Sequence, residues 1–321
     1  AGHIRNRGYE IQLGAVPIQT SKGFRWNLDL NYGANSSKVV KLDDEGLITS
    51  YRLYSSGIQI LASVGEAYGT LFGTSYVRDA NGNVVVDANG LPKISTTNKT
   101  LGKFTPDWTG GISNTFSYRS LSLSFLIDAS VGGSIFSNTN KTGKYTGVLA
   151  NTLSGRDAEH GGLWYYTAAM GNNVRLPESP SYSVSSDGLY YAQVNGQSTR
   201  VYQDGIMVEG VTESGSKNEE VVSAEKYYHR IYSIAEANVY DASYVKLREV
   251  ALSYRLPRLW TQKLHLQEAS VTLTGRNLWT IYKSVPNIDP ESALTTGNAQ
   301  GVEAYSLPTT RSFGVNLSVK F

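Results

Sequence analysis

Apolar and polar positions alternate over several long stretches of the chain. From Tyr9 the apolar set is Tyr9, Ile11, Leu13 and Ala15, with Glu10, Gln12 and Gly14 between. After a turn near 20–23 the pattern resumes as Phe24, Trp26, Leu28, Leu30, Tyr32 and Ala34, against Arg25, Asn27, Asp29 and Asn31. A third stretch carries Trp108, Ile112, Phe116 and Tyr118, and a fourth Leu121, Leu123, Phe125, Ile127, Ala129 and Val131. Two more run from Tyr244 to Leu256 and from Val271 to about Trp279. The last sets Phe313, Val315, Leu317, Val319 and Phe321 against Ser312, Gly314, Asn316, Ser318 and Lys320. A period of two marks a strand with one apolar face. The pattern predicts about seven strands of roughly 10–14 residues, longer than the ~5–6 of ordinary globular strands. Between Tyr244 and Leu256 the phase breaks: Val250, Leu252, Tyr254 and Leu256 share one phase, Val245 and Leu247 the other. A β-bulge near Arg248 and Glu249 restores a common face; the alternative is a strand whose upper half rises beyond the apolar band.

The connections alternate in length. Short links are expected at about 18–23, at Arg119-Ser120 and at about 257–269; long ones occupy about 38–107, 133–241 and 280–310. Short turns at one end and long loops at the other is the layout of an outer-membrane barrel. Loops beyond about 12–15 residues need structure of their own or a partner to dock on. A sandwich turns its apolar face inward; a membrane barrel turns it to lipid around a wet lumen. Three features favour the barrel. Aromatics stand toward strand ends (Tyr9, Trp26, Trp108, Tyr118, Phe313, Phe321), as interface girdles require. The polar faces hold Arg25, Asp29, Asp128 and Lys320, tolerable beside water. The last strand still runs at Phe321. The expected fold class is therefore all-β, a segment of a transmembrane antiparallel β-barrel with long extracellular loops.

Composition narrows this further. The 321 residues include 29 basic and 27 acidic side chains, 4 His and no Cys, for a net charge of +2. The lack of Cys excludes disulfides, thiolate metal sites and a Cys nucleophile. The charge gives no case for nucleic acid. Charged residues at 17%, with 32 Gly and 22 Tyr, suit a β-rich chain. An apolar run of about 18 residues is lacking, so a spanning helix is excluded, whereas spanning strands of about 9–11 residues are not. The chain begins Ala1-Gly2-His3 and enters a strand pattern within a few residues, so it reads as a piece of something longer.

Several local motifs occur in a fixed order: 6–14 (NRGYEIQLG), 24–28 (FRWNL), 64–69 (VGEAYG), 105–111 (TPDWTGG), 241–249 (DASYVKLRE), 275–278 (GRNL), 289–291 (DPE) and 308–314 (PTTRSFG), before Phe321. Together they resemble the C-terminal portion of SusC/RagA-type TonB-dependent outer-membrane transporters of Bacteroidetes, over essentially the whole of residues 1–321. The resemblance implies a 22-stranded barrel of which these are the last seven strands, with the plug domain absent from this chain. It implies an energy-coupled importer of large nutrients, oligosaccharides or peptides, that is not an enzyme and needs no cofactor. Its implied partners are a SusD-like surface lipoprotein as lid, TonB through the absent N-terminal part, and outer-membrane lipid. Phe321 would then be the barrel-assembly signal. Two other readings compete: a soluble or cell-surface β-sandwich that binds glycans, and a passive porin-like channel.

Candidate chemistry is sparse. His3, His160, His229 and His265 lack metal-ligand spacing, so neither a metal nor a catalytic site is expected. Asp79 to Asn83 superficially matches a calcium loop but lacks its glycine at the sixth position and its final Glu; a turn at Asn81-Gly82 is the expected reading, with a second at Asn89-Gly90. The candidates for substrate or partner contact are the paired aromatics of the longest loop: Trp164, Tyr165 and Tyr166, Tyr190 and Tyr191, and Tyr227 and Tyr228. Aromatic faces stack on sugars and grip peptides or a lid, and equally pack within a loop domain. Lys246 and Arg248 are expected to pair with Glu249 or with lumenal acids. Structural roles are expected for Arg276, Asn277, Asp289 and Glu291, with Asn277 bonding backbone near the strand top.

Overall fold

The computed structural model describes residues 2–321. Seven antiparallel strands form one open sheet in chain order: His3–Gln19, Phe24–Lys41, Trp108–Tyr118, Leu121–Val131, Tyr244–Arg255, Glu268–Lys283 and Ser312–Lys320. They are called the first to seventh wall strands below. The first, second and sixth reach 17, 18 and 16 residues, longer than alternation predicts. The reason lies at their tips. His3 to Arg7 pairs with Ser36 to Lys41, where only Ile4, Val39 and Val40 are apolar and Ile4 is out of phase with Tyr9, Ile11 and Leu13, so the period of two does not extend there.

Register carries one apolar stripe across the whole sheet. Phe313, Val315, Leu317 and Val319 stand opposite Gly275, Leu273, Val271 and Ala269. Leu273 continues to Leu252, Leu123, Phe116 and Trp26. On the third strand the stripe runs from Trp108 to Tyr118. Its ten rises of ~3.4 Å span about 34 Å along the strand, or roughly 26 Å in height at a tilt near 40°, the height of an apolar membrane band. Aromatic rings cluster toward both rims: Phe24, Trp26 and Phe125 each stack on Phe116, at centroid distances of 6.5, 5.6 and 6.1 Å, and Tyr32 meets Trp108 at 5.7 Å. Among the described residues no second sheet covers this stripe. Phe313, Val315 and Leu317 are 78%, 74% and 64% exposed, which a sandwich core excludes.

One polar side chain sits on the apolar face. Asn114 accepts a bond from the Trp26 indole N–H at 3.0 Å, pairing two groups that lipid would leave unsatisfied. Trp26→Phe should therefore cost about 1–3 kcal/mol. Adding Asn114→Leu in the same molecule should recover most of that loss. A double-mutant cycle read by denaturant unfolding in vesicles checks it; equal, additive losses would refute the pairing.

The opposite face is polar. Ser117 and Ser122 share a bond at 3.0 Å, Ser253 and Thr272 one at 2.8 Å, and Arg276 pairs with Glu249 at 2.9 Å. The bulge expected near Arg248 is present: register slips between Leu247 and Glu249 against both neighbours. The extra residue flips the phase, keeping Leu247 and Val250 on the apolar side while Arg248 and Glu249 both turn to the polar one.

The short links are a turn at 20–23, the pair Arg119-Ser120 with Arg119 in left-handed backbone, and a segment holding the helix Arg258–Lys263. The three long connections, 42–107, 132–243 and 284–311, all leave the other end. The first builds a four-stranded sheet. The second builds a six-stranded sheet with the helices Asn138–Thr146 and Ala224–Tyr232. The third adds Val302–Glu303 to a small sheet with Ser134–Ser137 and Val239–Asp241. Their core is shared: Ile58, Ile60 and Leu71 pack with Phe136, Ala235 and Val302, so all three connections fold as one unit over the wall. The turns expected at 79–83 and 87–91 are there. The Asp79 carboxylate accepts from the amides of Asn81 and Asn83, which occupies it as a turn cap.

Candidate functional site

Two places concentrate polar chemistry. The first lies where the fifth wall strand meets the third connection. Lys246 projects from the strand top and is buried. Its Nζ donates to Asp289 at 2.6 Å and to Glu291 at 2.5 Å. Arg248, aimed inward by the bulge, donates through Nη1 to Glu291 at 2.7 Å, through Nη2 to the same carboxylate, and pairs through Nε with Asp128 at 2.7 Å. The Tyr244 hydroxyl donates to Glu291 at 2.9 Å, and Asp289 also accepts from the Thr309 amide at 3.1 Å. Burial alone would raise the Asp289 carboxyl; the Lys246 and Thr309 bonds overcome it and hold it at about 2. Glu291 is lowered in the same way, its burial outweighed by Arg248 and Lys246. The sequence offered Glu249 and lumenal acids as partners. Glu249 takes Arg276 instead, and the lumenal Asp128 and the loop acids take the two cations. Asn277 stands in left-handed backbone beside this latch and donates to the Thr310 carbonyl at 3.1 Å, as expected for it. Glu303 is a second anchor that sequence reasoning missed. It is fully buried, accepts from Ser137 Oγ at 2.7 Å and from Thr139 Oγ1 at 2.6 Å, and places its charge at the N-terminus of the helix Asn138–Thr146.

The second place is the six-stranded sheet of the second connection. Trp164 is buried against Ala192 and Val201, with Tyr182 at 4.8 Å and Tyr190 edge-on at 5.4 Å. Its neighbour Tyr165 faces the other side of the sheet. It stacks on Tyr202 at 5.2 Å and donates to Asp204 at 3.0 Å, so burial and that carboxylate push its phenol up. Tyr166 packs beside the Trp164 cluster, with Leu176. Tyr191 pairs in register with Arg200. Tyr227 packs on Val86, Val208 and Val222; Tyr228 stands edge-on to it at 5.2 Å and donates to the Asn151 carbonyl at 3.0 Å. The structure thus turns Trp164 and Tyr165 to opposite faces of the sheet, while Tyr227 and Tyr228 stay in ring contact. Tyr190 alone among the paired aromatics lines a groove of about 600 Å³, together with Asp157, Glu159, Arg200, Tyr202 and Asp204. The Asp157 carboxylate is bonded to the His160 ring at 2.7 Å. Phe321 continues the apolar phase one residue past the last strand and is exposed. Among the described residues no group of three or more His, Asp or Glu is placed to hold a metal.

Trp164→Ala should destabilise this sheet by about 3–5 kcal/mol. Hydrogen exchange across 163–207 should rise while the wall strands stay protected. Unchanged exchange there would mean the cluster contributes no stability.

No family model matches the chain. It is 26% identical over 349 residues to TonB-dependent receptor P3 of Formosa agariphila, and 24% over 348 residues to TonB-dependent receptor P26 of the same organism. Both alignments cover all of this chain and 29% of the relative, so the chain spans under a third of the relatives' length. Among solved structures it is similar to the RagAB peptide transporter at a TM-score of 0.55 and 18% identity. It is also similar to the RagAB peptide importer in the closed-closed state at 0.57 and 17%. Each covers the whole chain and 30% of the solved one. Along its full length the chain is thus similar in sequence to a section of these TonB-dependent receptors, and it shares the fold of the matching span of the RagAB structures.

Proposed function

We propose that the chain supplies part of the wall and part of the outer mouth of an energy-coupled outer-membrane importer of large nutrients. The observation that carries this reading is the in-phase apolar stripe over seven strands, uncovered on one side and polar on the other. In lipid such a wall needs its remaining strands, because an open edge leaves backbone groups unsatisfied. The three long connections would face the cell exterior, fused into one cap and latched to the lumenal side of the wall. TonB would act through a part of the protein outside this chain, and a SusD-like surface lipoprotein would close over the cap. Of the two substrate classes, oligosaccharides and peptides, the groove favours peptides: Asp157, Glu159 and Asp204 suit an ammonium or basic side chain, and Arg200 a carboxylate. The RagAB structures being those of a peptide importer agrees with that choice. Trp164, Tyr165 and Tyr228 hold the groove's walls in shape, and Tyr190 offers a face to the ligand. Phe321 would anchor at the interface and mark the strand for assembly.

Fractionation and uptake test the reading together. The full-length protein should require detergent for extraction from the outer membrane. A strain lacking it should take up labelled peptide mixtures more slowly, with oligosaccharide uptake unchanged. Recovery in the aqueous fraction without detergent would refute the importer; slowed oligosaccharide uptake alone would refute only the choice of peptide.

A further inference from the structure

The short-turn end of the wall has a charge imbalance that the whole chain, at +2, does not share. Lys22 and Arg119 sit in its two tight turns, Arg258 and Lys263 bound the helix Arg258–Lys263, and Lys320 ends the last strand. Among the described residues the one side-chain carboxylate at this end is Glu268, already paired with Arg255 at 2.9 Å. The helix between the fifth and sixth strands is apolar where a water-facing turn has no use for it. Leu259, Trp260 and Leu264 are 74%, 56% and 61% exposed. Thr261 is buried on the opposite side; its amide donates to the Pro257 carbonyl at 3.2 Å within the helix, and its carbonyl accepts from the Leu266 amide at 2.9 Å where the chain leaves it. The segment follows directly on Leu252 and Tyr254, the lower end of the apolar stripe. Apolar bulk flanked by Arg and Lys is the composition of an element lying in the plane of a membrane interface. A cluster of cations without free carboxylates selects anionic headgroups.

We propose that the helix Arg258–Lys263 is an interfacial anchor. Leu259, Trp260 and Leu264 enter the acyl boundary of the leaflet on the short-turn side, and Arg258 and Lys263 hold the phosphates of anionic phospholipid. The inference rests on the barrel-wall reading but adds an element outside the strands and a headgroup preference.

The test uses the full-length receptor in vesicles of phosphatidylethanolamine with or without phosphatidylglycerol. Nitroxide labels are placed through Leu264→Cys, Leu273→Cys on the wall, and Ser186→Cys on the loops; this chain contributes no other thiol. The ratio of oxygen to nickel-chelate accessibility at 264 should match that at 273 and exceed that at 186 several-fold. Quenching of Trp260, read as the difference between the native protein and Trp260→Phe, should be about twofold stronger with brominated phosphatidylglycerol than with brominated phosphatidylethanolamine. Arg258→Glu with Lys263→Glu should abolish that difference. A label at 264 as water-accessible as that at 186, with 273 in lipid, would overturn the anchor and leave the wall reading intact. Lipid exposure at 264 with equal quenching by both lipids would overturn the headgroup preference. Water at 273 as well would overturn the wall reading and the anchor with it.

Discussion

Replacing Lys246 with Met should release the third connection from the wall. The ammonium is the shared donor of two carboxylates in a buried setting, and its loss leaves Asp289 with the Thr309 bonds and the Glu291 amide. Truncating one partner of a buried ion pair costs about 3–5 kcal/mol, because the remaining charge stays desolvated. Local opening of 284–311 should become roughly 10²–10⁴-fold more frequent. Hydrogen exchange of that segment in the full-length receptor reads the change directly, with the seven wall strands as internal reference. Adding Asp289→Asn removes one stranded charge and should restore part of the protection. If exchange in 284–311 is the same in Lys246→Met as in the native protein, the latch is not what holds the loop.

The same latch has a pH signature of fixed sign. The folded-state pKa of Asp289 lies below its ordinary value of 3.8, at about 2. A depressed carboxyl contributes stability that is fully present above the ordinary value and is lost as pH falls through the folded one. Protection of 284–311 should therefore be flat down to about pH 4 and fall between about pH 4 and pH 2. Loss beginning near pH 6 would point to another group.

Much of the wall could be read from the sequence because register and hydrophobic phase are the same information. The phase flip at Arg248 located the bulge, since one extra residue moves every following side chain to the other face. The strand tips escaped notice for the converse reason: in His3 to Arg7 the one apolar residue, Ile4, is out of phase with Tyr9, Ile11 and Leu13, so no alternation runs on to the tip. The latch was legible only as charges in search of partners. Lys246 and Glu291 lie 45 residues apart, and their meeting depends on how the third connection returns over the strand. Glu303 gave no signal at all, because capping a helix 164 residues upstream in sequence leaves no local pattern. The aromatic pairs are adjacent in sequence without all sharing a face. Neighbours in a strand point to opposite faces, so Trp164 enters one core while Tyr165 meets Tyr202 and Asp204 behind it. The shared core of the long connections is built by strands of 2–6 residues in Ile58, Leu71, Phe136 and Val302, too short for periodicity to register.

The wall reading makes its largest demand on a single strand, the fourth, where height and face can be separated. Ile127 lies on the apolar face, opposite Ile112 and Leu247, near the middle of the stripe. Leu121 shares that face at the lower rim, opposite Tyr118 and Tyr254. Ser124 faces the polar side between Thr115 and Ala251. In a lipid-facing barrel Ile127→Arg should cost about 2–4 kcal/mol, whereas Leu121→Arg near the interface should cost about 0–1 kcal/mol. Ser124→Arg, with water available in the lumen, should leave folding nearly unchanged. Denaturant unfolding of the full-length receptor in vesicles measures all three. A sandwich core predicts a different order: any guanidinium on the apolar face is then costly regardless of height, because a protein interior has no depth gradient toward headgroups. Equal large losses at Ile127 and Leu121 would therefore remove lipid as the partner of this face. A loss at Ile127 that shrinks when the vesicles are made of shorter-chain lipid would strengthen it, since a thinner bilayer brings the guanidinium closer to water.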